Sequence, residues 1–160
     1  MYYFAYGSNM SQKRLTRRIP AEKLGVATLG AHRLAFTKPS EADGSAKCDI
    51  CPSEKDMVYG VLYRIDEKHK PVLDKYEGLG YGYTSDEVTV IYNGDEIEAI
   101  TYRAVNRNDS LKPFKWYREH VVRGARENGL PDHYVESIQS VQAQSDPDRN
   151  RASMELSIYR

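Results

Sequence analysis

Tyr2-Tyr3-Phe4-Ala5-Tyr6-Gly7-Ser8-Asn9-Met10 is the stretch around which the chain is organised. Its first residues are apolar or aromatic, as in a buried strand, and they stop abruptly at Gly7-Ser8-Asn9. Glycine takes backbone angles that other residues avoid, and Ser and Asn cap a following helix. A strand that turns directly into a helix leaves several backbone N–H groups unpaired, and such groups hold carboxylate or phosphate. An ordinary strand-to-helix turn has the same local pattern, so the remainder of the chain has to choose between the two.

The 160 residues suit a single domain, 1–160, with its own core. Lys and Arg number 23 and so do Asp and Glu, so no broad field suits nucleic acid or an anionic membrane surface. The basic run Lys13 to Arg18 reads as the solvated face of a short helix. No apolar run approaches the roughly 20 residues of a membrane span, and the N-terminus lacks a signal-peptide pattern. A soluble, cytoplasmic protein is expected. Tyrosine is abundant, at 13 residues against three Phe and one Trp, and phenols serve a polar pocket as well as a core. Cys48 and Cys51 lie in a segment with strand alternation, which turns their thiols to opposite faces and favours filler over redox or zinc chemistry.

Outward from the opening turn, Ser11 to Arg18 predicts a short helix ended at Ile19-Pro20. Leu24 to Thr37, Lys47 to Cys51 and Met57 to Ile65 read as separate β regions, with a loop over Lys38 to Ala46. Asp66 caps a helix whose start is displaced by Pro71, with Val72, Leu73 and Tyr76 as its buried face. That helix runs out at Glu77-Gly78. A carboxylate at a helix C-terminus is electrostatically misplaced, and such misfits gather at functional sites. The glycine-rich Gly78 to Tyr83 reads as a flexible segment able to close over a ligand. Glu87–Tyr92 and Glu96–Ala104 form a hairpin about Asn93-Gly94. Pro113 opens a helix carrying Phe114, Tyr117, Val121 and Val122, and Pro131 opens another. Beyond Gln142 the polar tail predicts a last strand over Met154–Tyr159 or a disordered end. The sum is an α+β domain of about six strands, a strongly bent sheet or small β-barrel with flanking helices.

Four segments resemble the gamma-glutamyl cyclotransferase family, of AIG2-like fold: Tyr3–Asn9, Val58–Tyr63, Leu73–Gly78 and Gly124–Pro131. They occur in the family's order and span residue 3 to about 140. The resemblance implies a barrel with a cavity, and release of an amino acid or amine from a gamma-glutamyl compound with formation of 5-oxoproline. It implies that Tyr6, Gly7, Ser8 and Asn9 bind substrate, that Glu77 is the catalytic acid/base, and that Tyr83, Tyr102 and Tyr117 line the pocket. Since the Gly80–Tyr83 segment is about one residue shorter than the related pattern, Tyr81 is the alternative to Tyr83. No metal or cofactor is implied, and a homodimer is compatible with it. A gamma-glutamylamine cyclotransferase, an enzyme that removes a gamma-glutamyl group from a natural product, and a non-catalytic module for small carboxylates are the other readings. The sequence does not select the leaving group.

Overall fold

The computed structural model describes all 160 residues. Five strands, β1 (Tyr2–Ala5), β2 (Glu22–Pro39), β3 (Ala46–Arg64), β4 (Tyr83–Tyr92) and β5 (Asp95–Ala104), close into a barrel in the order β1-β3-β2-β4-β5. β4 and β5 pair along their whole length, from Tyr83↔Ala104 to Tyr92↔Asp95. Asn93 and Gly94 both take positive φ, 50° and 84°, as a two-residue hairpin turn requires.

The two regions expected at Lys47–Cys51 and Met57–Ile65 are one strand of 19 residues. Ser53 to Asp56 misled because their side chains are polar, but the backbone stays extended there, outside the β2 register between His32↔Pro52 and Gly30↔Met57. Three register shifts bend this long hairpin around the core. β1 runs antiparallel to β3 and meets β5 in parallel at Tyr3↔Ile100, where Thr101 Oγ1 donates to the Phe4 carbonyl at 2.8 Å. Gly60 makes that closure sterically feasible: a Cβ there would lie 2.5 Å from the Phe4 ring and 2.6 Å from the Ala5 carbonyl oxygen. Phe4, Val58, Val61, Leu62 and Val90 fill the interior.

Helices cover one end. A turn of 3-10 helix at Ser8–Met10 leads into α1 (Gln12–Thr16), whose cap Ser11 accepts from Arg14 N–H. α2 (Lys70–Glu77) follows a 3-10 turn capped by Asp66, with Pro71 in its first turn. Its buried face is Leu73 alone. Val72 and Tyr76 are exposed, because α2 is only about two turns long and buries a single position, and Arg18 covers the outer Tyr76 ring at 5.0 Å. α3 (Lys115–Glu127) buries Trp116, Tyr117, His120, Val121 and Val122, and α4 (Asp132–Gln139) packs on it. α3 presses directly on the opening loop at Gly124, where a Cβ would meet Ser11 N at 2.6 Å and Met10 Cβ at 2.7 Å.

The tail is neither strand nor disordered. It forms α5 (Arg149–Leu156) and a 3-10 turn at Ser157–Tyr159. No residue of α5 is fully buried, so it carries no apolar periodicity to read. Polar contacts hold it instead. Asp146 accepts from Trp116 Nε1 at 2.8 Å and from two Arg151 nitrogens at 2.6 Å, and Asp148 caps the helix. No helix is long and apolar enough to cross a membrane.

Candidate active site

The opening loop, the end of α2, β4, β5 and α3 converge on an inner cavity of about 40 Å³. Every residue singled out from the sequence, Tyr6, Gly7, Ser8, Asn9, Glu77, Tyr83, Tyr102 and Tyr117, lines it, together with Tyr3 and Cys48. Between Tyr83 and Tyr81, the geometry selects Tyr83, which is buried, whereas Tyr81 is exposed on the rim of an outer cleft.

Glu77 reaches the cavity because α2 stops there: Gly78 takes left-handed angles (φ 64°, ψ 50°) and reverses the chain. Its Oε1 accepts from Asn9 Nδ2 at 3.0 Å and lies 3.7 Å from Arg18 Nη1. Burial raises the Glu77 pKa, and the positive charges of Arg18, Arg14 and Lys38 with the Asn9 hydrogen bond only partly offset it. Asn9 also donates to Tyr3 Oη at 3.1 Å, while its own Oδ1 is buried and has no partner.

The tyrosines divide by what their protons do. Tyr6 Oη donates to the Tyr102 carbonyl, Tyr83 Oη to the Cys48 carbonyl at 2.7 Å, and Tyr102 Oη to Asp74 Oδ1 at 2.6 Å. The Tyr102 hydroxyl is therefore engaged on α2, and its ring walls the cavity. Tyr3 and Tyr117 accept instead, Tyr3 from Asn9 Nδ2 and Tyr117 from Cys48 N–H at 3.0 Å. Burial raises the pKa of all five phenols, so they stay neutral. The Cys48 thiol, pushed up to about 12 by burial, is a protonated wall and a poor nucleophile. Both cysteines are free and buried.

Ser8, Glu77, Tyr83 and Tyr117 also line an outer cleft of about 540 Å³. Here the structure corrects the reading of the basic run. Arg14 and Arg18 face inward, with side chains only 13% and 18% exposed. Arg14 Nε donates to Ser8 Oγ at 3.1 Å and its Nη1 to Glu155 of the tail at 2.7 Å. Fully buried His120 lies 3.0 Å from Glu155 and 3.1 Å from Arg14, with its Nδ1 2.7 Å from Tyr159 Oη; Tyr159 in turn donates to Ser11 Oγ at 3.0 Å. The tail thus clamps the residue that holds the loop. Sequence reading missed Tyr3, Arg14, Arg18, Lys38 and Glu155. The i, i+4 spacing of Arg14 and Arg18 in the helix expected over Ser11 to Arg18, directly after an anion loop, was the available signal, although the helix ends at Thr16.

A closed barrel with a buried carboxylate facing a small-residue loop places the protein in the AIG2-like class, and the model of the AIG2-like family matches residues 57–138. The chain is 35% identical over 147 residues to the gamma-glutamylcyclotransferase of Bos taurus, covering 88% of this chain and 78% of that one. The Homo sapiens gamma-glutamylcyclotransferase is 34% identical over the same coverage. A solved gamma-glutamyl cyclotransferase superposes with a TM-score of 0.88 at 28% identity, over 98% of both chains. The chain belongs to the gamma-glutamylcyclotransferase family.

Proposed function

We propose that this protein cleaves gamma-glutamyl compounds by intramolecular cyclisation, with Glu77 as the acid/base. The observation that carries the reading is the Glu77 carboxyl held in the inner cavity opposite the Tyr6–Asn9 loop. A gamma-glutamyl amide contains its own nucleophile, since the α-amine reaches the γ-carbonyl in a five-membered ring and proximity is largely supplied by the substrate. Three things remain for the protein: a bent substrate, a neutral amine, and a proton for the leaving nitrogen.

The α-carboxylate sits against the loop, where Gly7 N–H has no protein acceptor and Arg14 stands behind Ser8. The α-amine lies between Glu77 and Asn9 Oδ1, a buried acceptor otherwise without a partner. The α-amine attacks in its neutral form: as its nitrogen bonds to the γ-carbon, Glu77 takes the one proton that nitrogen sheds, and the carbonyl oxygen gains charge beside the Tyr3 and Tyr117 hydroxyls. Glu77 then returns the proton to the leaving nitrogen as the γ-carbon–nitrogen bond breaks, giving 5-oxoproline and a free amine with no water consumed. A module that merely bound small carboxylates gains nothing from an anionic Glu77 facing the ligand.

Every group in this scheme comes from one chain, so a homodimer is compatible but not required. In this reading residues 1–160 act as one domain, and two free buried cysteines suit the cytoplasm. The test is 5-oxoproline release from a panel of gamma-glutamyl amino acids and amines. Release is expected from at least one, with a loss of at least about 10²-fold in Glu77→Gln. A folded Glu77→Gln with full activity refutes the scheme.

A further inference from the structure

The outer cleft has one cation without a counter-ion. Arg14, Arg18, Lys47 and Arg151 each face a carboxylate within 4.0 Å. Lys38, near the end of β2, has no carboxylate within 4.0 Å and donates no hydrogen bond, and while most of its side chain is covered its ammonium lines the cleft. Its ammonium lies 5.0 Å from the Tyr83 ring centroid, on the wall shared by the inner cavity and the outer cleft. Gly82 makes the room: a Cβ there would stand 3.2 Å from Lys38 Nζ and 3.1 Å from the Glu77 carbonyl oxygen. The ammonium faces the cleft, and no protein carboxylate stands within ion-pair distance of it, so an anionic group entering there meets a cation that is free to make a charge-assisted contact.

The ligand atom that arrives there follows from the reaction. With the glutamyl head against the Tyr6–Asn9 loop, where the inner cavity meets the outer cleft, and the scissile bond at Glu77, the leaving amine projects past Tyr83 into the outer cleft. In an amino acid, the carbon bonded to the leaving nitrogen also bears a carboxylate. We propose that Lys38 receives this carboxylate, so that the outer cleft selects gamma-glutamyl amino acids over gamma-glutamyl amines. The inference rests on the cyclotransferase reading above. A role in tuning Glu77 by its charge alone would affect every substrate alike, whereas a carboxylate contact changes the ratio between substrates.

The test compares gamma-glutamyl-alanine with gamma-glutamyl-ethylamide, which differs by the carboxylate alone. Wild type is expected to favour the alanine compound in kcat/KM by about 10- to 100-fold, the worth of a charge-assisted contact. Lys38→Met brings the ratio to within about threefold of one, and Lys38→Arg keeps most of the preference. Calorimetry on Glu77→Gln and on Glu77→Gln/Lys38→Met reads the same contrast in binding, without chemistry. Equal turnover of both substrates by wild type overturns the role of Lys38 and leaves the cyclotransferase intact. Equal losses on both substrates in Lys38→Met, with the ratio preserved, overturn it also. Binding that discriminates through Lys38 without any turnover supports the subsite and refutes the cyclotransferase.

Discussion

Gly124→Ala tests whether α3 sets the position of the substrate loop. In an ordinary helix interior the change stabilises by about 1 kcal/mol, because alanine loses less backbone entropy than glycine. Here the new Cβ falls 2.6 Å from Ser11 N, 2.7 Å from Met10 Cβ and 2.8 Å from Met10 C. Two of these three atoms are backbone and have no rotamer to escape into, so α3 or the Ser8–Met10 turn has to move. Overpacking costs about 1–3 kcal/mol, and a backbone contact belongs near the upper end. The net is a destabilisation of about 2 kcal/mol, roughly 30-fold in the folded-to-unfolded ratio. With a urea slope of about 2 kcal/mol per molar, the midpoint falls by about 1 M, readable from the single tryptophan, Trp116. Displacing the loop by about 1 Å also lowers kcat/KM by about 10²-fold. A variant that is more stable by about 1 kcal/mol and fully active refutes this account by its sign.

Glu77 must be ionised to accept the amine proton, and burial raises its pKa, so kcat/KM is expected to fall on the acid side through a value above glutamate's ordinary 4.5. A pH–rate profile whose acid limb lies at or below 4.5 contradicts this. The same shift sets a stability window. With the folded pKa above the unfolded one, the unfolded state binds fewer protons between them, and stability drops as pH rises through that interval. Glu77→Gln is therefore expected to be more stable than wild type at neutral pH, with the gap in urea midpoint closing below about 4.5; a gap that widens in acid contradicts it. At Glu155 the sign reverses. Burial pushes its carboxyl up, but the His120 hydrogen bond and the charge of Arg14 outweigh this and hold it at about 2. Docking of the tail is complete above glutamate's ordinary value and lost as pH falls towards 2, which hydrogen exchange over residues 149–159 reads directly. Glu155→Gln should cost about 1 kcal/mol of stability, since the pair is partly exposed, and should raise KM as Arg14 loses its aim at Ser8. An unchanged KM would sever the tail from the site.

What the sequence made legible were the features with strong local signatures. Asn93-Gly94 specified its hairpin because the turn needs two positive φ values, and Glu77-Gly78 marked a helix end carrying a misplaced charge. The clamp left no such mark. Arg14, His120, Glu155 and Tyr159 are spread over 146 residues and meet chiefly through polar contacts, which have no period. β3 was divided in two because polar Ser53 to Asp56 look like a loop when hydropathy alone is read. Lys38 looked like the first residue of a loop, and its burial arises from the fold of Gly82 and Tyr83 over it, 44 residues away.

The barrel is closed, yet it is built of two leaves, β1-β3-β2 and β4-β5. They are joined by two seams that each register a single residue pair, Tyr3↔Ile100 and Thr28↔Ile91. The tyrosines of the cavity are stitched across that division: Tyr6, the residue after β1, holds the Tyr102 carbonyl of β5, and Tyr83 of β4 holds the Cys48 carbonyl of β3. Each phenol is thus both wall and rivet. A Tyr→Phe exchange at either position removes a seam bond before it removes anything from a ligand, so lost activity in such a variant reports first on whether the leaves stay together.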